Sequence, residues 1–371
     1  MQQKKIIVIV GTRPEAIKLA PVIQALNRSP WVKCQVVLTG QHRDLVEPIM
    51  QYFGIKAERD LGAMTPNQSV AAVTSRMLAA VDALLSNERP DAVLAQGDTA
   101  SVLAASMACF FQNVPFAHVE AGLRTGNLRL PFPEEMNRVL TTRLATWHFA
   151  PTETARANLS TEGISPKSVW VTGNTVIDAL KLVLKQPPSH LPVTPGRDFV
   201  LITAHRRENL GERLERICEA IRTLASSHME LDFIFPVHPN PGVRAVTGRL
   251  LLGLSNVRLI EPCDYSVFCW LMQQAKLILS DSGGVQEEAP ALGKPVLVLR
   301  DETERPEAVA IGATMLVGTD TRRIVEAAES LLSDPLKYEA MATAGSPYGD
   351  GHASDRIVAV LRDALMTSGE S

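Results

Sequence analysis

The chain has 371 residues, more than one hydrophobic core usually serves, so two domains are expected. Hydrophobic residues make up 46% and charged residues 21%, which excludes a disordered chain. A formal net charge of −3 excludes broad attraction to nucleic acid or an anionic membrane, so any phosphate must be met by a few local cations.

Short apolar runs alternate with longer stretches of helical period, the pattern of βαβ units and parallel sheets. In the first half strands are predicted at 6–10, 35–39, 92–95, 115–119, 146–150 and 168–171. The helix expected at 15–27 puts Ile17, Ala20, Pro21, Ile23 and Leu26 mostly on one face, and Pro21 should kink it or start a second turn. The proline-dense stretch 185–198 has no apolar period and reads as a surface loop near a domain junction. Strands resume at 199–203, 232–236, 258–260, 277–279, 295–299 and 314–317, and a closing helix is expected at 355–366. The fold class is therefore α/β, with two doubly wound sheets.

The cysteines, Cys34, Cys109, Cys218, Cys263 and Cys269, are scattered without metal or redox spacing, and read as small buried hydrophobes in a reducing compartment. Met1 to Lys5 carries positive charge, but the apolar run before Gly11 is too short for a signal peptide, and no run approaches the roughly 20 apolar residues of a membrane span. A cytoplasmic protein is expected.

Four carboxylates stand where apolar runs of the first half end: Asp98, Glu120, and the pair Glu134 and Glu135. In an open α/β sheet ligands collect at the carboxyl ends of the strands, so this placement reads as an acid/base site, with Arg13, Lys18 and Arg124 in neighbouring loops to hold an anion. The turn Gly11-Thr12-Arg13-Pro14-Glu15 opens a helix and presents backbone N–H groups to an anion, although Arg13 and Lys18 also fit a solvated helix start. It is neither G-x-G-x-x-G nor a Walker loop, which disfavours dinucleotide binding.

A second such turn is Ser280-Asp281-Ser282-Gly283-Gly284. Its glycines let backbone approach a diphosphate; Ser282 either caps the helix or donates to phosphate, and Glu287 and Glu288 are either solvated or accept from ribose hydroxyls. His205, beside Arg206 and Arg207, ends the first strand of the second half and suits proton transfer or phosphate binding as well as a structural role. His238 has a weaker claim of the same kind. In the mixed-charge loop 300–307, Arg305 is the cation placed to reach a diphosphate.

With these residues in view, the chain resembles the non-hydrolysing bacterial UDP-N-acetylglucosamine 2-epimerases along almost its whole length. The resemblance rests on Gly11-Thr12-Arg13-Pro14-Glu15-Ala16-Ile17-Lys18, Gln41-His42-Arg43, Gly97-Asp98-Thr99, His118-Val119-Glu120-Ala121-Gly122-Leu123-Arg124-Thr125, Pro133-Glu134-Glu135, Thr172-Gly173-Asn174-Thr175, His205-Arg206-Arg207-Glu208, Asp281-Ser282-Gly283-Gly284-Val285-Gln286-Glu287-Glu288 and Thr303-Glu304-Arg305-Pro306-Glu307.

The resemblance implies the glycosyltransferase B type fold: two Rossmann-like domains facing a cleft, an N-terminal domain at 1–172 carrying the acids, a UDP-binding domain at 173–354, and a last helix, about 355–371, returning to the first. It further implies a homodimer that interconverts UDP-N-acetylglucosamine and UDP-N-acetylmannosamine for surface polysaccharide synthesis. The family's route is anti elimination of UDP to 2-acetamidoglucal followed by re-addition, with neither metal nor nicotinamide. Asp98, Glu120, Glu134 and His205 match its catalytic residues. Arg13 and Lys18 match substrate and phosphate contacts, and Ser282, Gly283, Gly284, Glu288, Arg305 and Phe268 match the UDP site.

Some members bind a second UDP-sugar as an activator through residues matching Gln41, Glu134, Arg206 and His238. Here Asp44 and Asn67 replace a glutamine and an arginine of that set, so activation is expected to be weak or absent; Cys263 replaces a glutamine near the uracil. The alternatives are a 2-epimerase of a related nucleotide sugar such as UDP-2,3-diacetamido-glucuronic acid, a UDP-sugar glycosyltransferase, and a non-enzymatic nucleotide-sugar sensor.

Overall fold

The first apolar run forms β1 (Lys4–Val10), whose residues Ile6 to Val10 are all buried because helices cover both faces of a parallel sheet. In chain order follow α1 (Arg13–Asn27), β2 (Val32–Leu38), α2 (Arg43–Tyr52), β3 (Arg59–Asp60), α3 (Val70–Glu88), β4 (Ala92–Gln96), α4 (Ala100–Phe111), β5 (Phe116–Val119), α5 (Glu134–Leu144), β6 (Trp147–Ala150), α6 (Glu153–Thr161), β7 (Val169–Val171) and α7 (Thr175–Leu184). The computed structural model describes residues 3–41, 43–64, 68–188, 190–192 and 197–367. His42 and Asn67, named above, lie outside the described residues.

These strands make one parallel sheet in the order β3-β2-β1-β4-β5-β6-β7. The order reverses between β1 and β4, which leaves a crevice beyond their carboxyl ends, next to the Gly11 and Asp98 turns. α1 runs unbroken through Pro21, whose neighbours Leu19, Ala20, Val22 and Ile23 are fully buried; their packing offsets the lost backbone bond.

The second half comprises β8 (Phe199–Thr203), α8 (Glu212–Ser227), β9 (Asp232–Pro236), α9 (Pro241–Leu251), β10 (Val257–Ile260), α10 (Tyr265–Gln274), β11 (Leu277–Ser280), α11 (Gly283–Ala291), β12 (Val296–Val298), α12 (Pro306–Ala310), β13 (Thr314–Leu316), α13 (Thr321–Ser333), α14 (Pro335–Ala342) and α15 (Ala353–Thr367). Its parallel sheet runs β10-β9-β8-β11-β12-β13, the same winding, with the reversal between β8 and β11. Its core is formed by Phe233, Phe235, Ile217, Ile221, Leu277 and Leu297 among others.

The chain divides into unit 1, Met1–Ala179 with Tyr348–Ser371, and unit 2, Leu180–Pro347. The division falls inside α7 rather than at residue 172, because residues beyond 172 are bonded into unit 1. Asn174 N–H donates to Tyr348 O at 2.8 Å, and Asp178 accepts from the N–H groups of Ala353 and Ser354 at 3.2 and 2.8 Å. α15 then packs on α1. Gly173 and Gly349, both at positive φ, pass so closely that a Cβ on Gly349 would lie 3.0 Å from the Gly173 Cα.

Cys109, Cys218 and Cys269 are buried as expected, but Cys34 and Cys263 are only half-buried. For Cys34 the reason is topological: β3 pairs only with Val37 and Leu38, so the start of β2 is uncovered on that side. Among the described residues no helix is long and apolar enough to cross a membrane.

Candidate active site

In unit 1 the end of β5 swings Glu120 into the left-handed region at φ +65, a conformation costly for a residue with a side chain and one that aims its carboxylate back across β4. Glu120 is buried and meets Lys18 of α1, with Nζ to Oε1 at 2.6 Å. The same oxygen accepts from Asn174 Nδ2 at 3.0 Å, and Gln96 Nε2 donates to the other. Lys18 thus lies on a helix, paired with an acid, rather than in a loop awaiting an anion. Arg13 is half-buried at the head of α1.

Asp98, in the turn between β4 and α4, pairs with Arg138 Nη2 at 2.8 Å. Its carboxyl is nonetheless pushed up to about 6. Burial is the largest cause; Arg138 opposes it, Glu120 and Glu134 raise it further, and Lys18 again opposes. Asp98 therefore feels both other acids, Glu120 and Glu134. Glu134 is half-buried at the start of α5, whereas its neighbour Glu135 is built into the scaffold, accepting from Thr125 and Gly126 N–H at 2.9 and 3.1 Å and pairing with Arg138 at 3.4 Å.

Arg124 is paired inside unit 1. Its Nε meets Glu162 at 2.5 Å and its Nη2 donates to Thr142 at 2.9 Å, because the partner supplied by α6 and the following turn neutralises it.

In unit 2 the sites again gather at the sheet reversal. Asp281, fully buried after β11, accepts from the backbone N–H groups of His205 and Arg206, both at 2.9 Å, and from Asn209 Nδ2 at 3.0 Å. His205 Nδ1 stands 3.2 Å from Asp281, and its ring stacks on His238 with centroids 6.2 Å apart. Partial burial lowers the His205 pKa; Asp281 opposes this, while Arg206 and His238 add to it.

Ser282, Gly283 and Gly284 form the head of α11, and the Ser282 side chain makes no cap bond. Gly283 faces the Arg305 guanidinium so closely that a Cβ would lie 2.8 Å from Cζ. Arg305 is held by Glu287 at 2.7 Å and Glu304 at 2.8 Å. Glu304 is pulled down to about 2: burial would raise it, but Arg305, Arg300 and Arg206 together prevail. Glu287 and Glu288 are buried, not solvated, and Tyr265 Oη donates to Glu288 at 2.5 Å. Phe268 is half-buried on α10.

Of the residues matched to an activator, Gln41 accepts from Ser101 Oγ at 2.9 Å in unit 1, while Arg206, paired with Glu304 at 3.2 Å, and His238 belong to unit 2. Asp44 is exposed in the first turn of α2. Arg138, Gln96, Asn174, Asp281 and Tyr265 were not singled out from the sequence for a role. Arg138 carried a signal, standing three residues after Glu135 on a helix.

Two Rossmann-like sheets, each with a polar cluster at its reversal and one of the clusters rich in acids, define a doubly wound α/β protein. Residues 24–362 match the family described as UDP-N-acetylglucosamine 2-epimerase. The chain is 49% identical over 370 residues to a probable UDP-N-acetylglucosamine 2-epimerase of Ralstonia solanacearum, spanning 97% of this chain and 99% of that protein. It is 47% identical over 370 residues to the UDP-N-acetylglucosamine 2-epimerase of Escherichia coli K12, spanning 97% and 98%. The crystal structure of UDP-GlcNAc 2-epimerase from Neisseria meningitidis bound to UDP-GlcNAc matches with a TM-score of 0.89 at 48% identity, covering 97% of this chain and 100% of that one. The chain belongs to the UDP-N-acetylglucosamine 2-epimerase family, and is an isomerase with the glycosyltransferase B type fold that its sequence implied.

Proposed function

We propose that this 2-epimerase interconverts UDP-N-acetylglucosamine and UDP-N-acetylmannosamine by anti elimination and re-addition of UDP. The C2 hydrogen has no adjacent carbonyl to stabilise a carbanion, so its removal needs a group leaving from C1. An acid of unit 1 takes the C2 proton, the C–H electrons form the C1–C2 double bond, and the C1–O bond breaks with its pair going to UDP. Reprotonation on the opposite face of C2 and return of the UDP oxygen to C1 give the epimer.

The observation that supports this reading is that Asp98 feels both Glu120 and Glu134 and is pushed up to about 6, where it can both take and return a proton near neutrality. Lys18 pairs with Glu120 beside it, Nζ to Oε1 at 2.6 Å. In unit 2 the head of α11, with Arg305, suits the diphosphate, Glu288 the ribose and Phe268 the uracil; in unit 1 the head of α1, with Arg13, suits an anion. Asp281 beside Nδ1 favours the His205 tautomer protonated there, which leaves Nε2 to accept a hydrogen bond.

Turnover of UDP-N-acetylglucosamine in deuterium oxide tests the route: deuterium should enter at C2, with slow release of UDP and the glycal and no acceptor present. Formation of the manno isomer without isotope at C2 would falsify it.

The role we assign is supply of a bacterial surface polysaccharide precursor in the cytoplasm, a reducing setting that suits five free cysteines. We also assign a homodimer, for which Phe110 and Phe111 at the end of α4, 64% and 63% exposed, offer apolar surface. A monomer in sedimentation at micromolar concentration would refute it.

A further inference from the structure

The turn that carries Asp98 is held at each of its residues. His118 Nε2 lies 2.7 Å from Gly97 O, Asn137 Nδ2 donates to Asp98 O at 2.8 Å, and Thr99 Oγ1 donates to Glu15 Oε1 at 2.7 Å. The last of these bonds is the unexpected one. Thr99 occupies the N-cap of α4, where a threonine hydroxyl ordinarily accepts from its own helix, yet it makes no cap bond and reaches instead to a residue on α1.

Glu15 departs from habit in the same way. At the third position of α1 a glutamate commonly closes a capping box with one oxygen, and Glu15 Oε2 does so, accepting from the N–H groups of Gly11 and Thr12 at 2.5 and 3.1 Å. Such residues are normally solvated, but Glu15 is 2% exposed. Capping α1 alone does not call for the second oxygen or for the cost of burying a carboxyl. Burial pushes its pKa up to about 7, against the lowering effect of Thr99, Gly11 and Thr12.

We infer that Glu15 is a positioning residue of the reaction: through Thr99 it locks the Asp98 turn at the end of β4 to the Gly11–Thr12 turn at the end of β1, and so fixes the distance between the proton-handling acid and the helix head assigned to the anion. The inference rests on the role proposed for Asp98. A misplacement of about 1 Å at such a group costs on the order of a hundredfold in rate.

The test compares Thr99→Val, which keeps shape and removes the donor, with Thr99→Ser, which keeps the donor, and with Glu15→Gln and Asp98→Asn. With UDP-N-acetylglucosamine, Thr99→Val should lower kcat and the rate of deuterium entry at C2 by roughly 10- to 100-fold with KM within about twofold, and Thr99→Ser should restore kcat to within about threefold of the parent. Glu15→Gln should follow Thr99→Val. A Thr99→Val enzyme with the parent kcat beside an inactive Asp98→Asn overturns the inference alone. Equal loss in Thr99→Ser and Thr99→Val overturns it too, since then the hydroxyl is irrelevant. An Asp98→Asn enzyme with the parent kcat overturns the role of Asp98 and the inference together.

Discussion

Asp98 keeps an ion pair with Arg138 at 2.8 Å and is still pushed up to about 6, so burial and two neighbouring carboxyls outweigh a guanidinium in direct contact. A group in that balance changes charge close to working pH. Where the reaction needs Asp98 ionised, kcat/KM should fall as pH drops through about 6, by about tenfold per unit below it. The measurement is a pH–rate profile; a flat profile from pH 8 to 5 contradicts it.

The same shift bears on stability. The folded pKa lies above the ordinary 3.8, so the contribution of Asp98 is fully present below about 4, is lost as pH rises to about 6, and is level beyond that. Asp98→Asn should therefore be inactive yet more stable than the parent by about 1–3 kcal/mol at pH 8, with the difference gone at pH 4. Chemical denaturation at the two pH values decides it.

Lys18 and Glu120 are both buried and 2.6 Å apart. Lys18→Met leaves Glu120 without its countercharge and should cost about 3–5 kcal/mol, whereas Lys18→Met with Glu120→Gln should recover most of that stability with no activity. Recovery of turnover in the double variant would contradict the role given to Glu120.

Gly283→Ala should act on binding rather than on chemistry. Its Cβ would lie 2.8 Å from Arg305 Cζ, and the guanidinium, the far end of a long side chain, has to leave Glu287 or Glu304 to make room. Loss of one charge-assisted contact to the nucleotide corresponds to a KM raised roughly tenfold or more with kcat little changed, read from steady-state kinetics.

Arg206 is engaged by Glu304 at 3.2 Å, and the exposed Asp44 on α2 replaces a glutamine of the activator set that the family resemblance implies, adding a negative charge unsuited to a diphosphate. Rate against UDP-N-acetylglucosamine should be hyperbolic, with a Hill coefficient near one. A strongly sigmoidal curve abolished by Arg206→Ala refutes this.

The layer structure was legible because buried parallel strands are written as unbroken apolar runs such as Ile6 to Val10 and Phe199 to Thr203. The placement of Asp98, Glu120 and His205 at strand ends was legible for the same reason. Their partners were not. Arg124 reads as an anion ligand although Glu162 pairs with it, and nothing local to Glu15 shows that Thr99 reaches it from 84 positions away. Glu287 and Glu288 read equally well as solvated, since the approach of Arg305 and Tyr265, which helps make their burial tolerable, comes from other elements. Such pairings depend on which strands lie side by side, and that order is not written in any local window. The two-residue β3 is too short to leave a pattern at all.

Unit 1 is completed by α15, the last helix described, while everything in unit 2 comes earlier in the chain. The packing of α15 on α1 within unit 1 can therefore form only after the whole of unit 2 has been made, so the two units cannot be completed strictly one after the other along the chain.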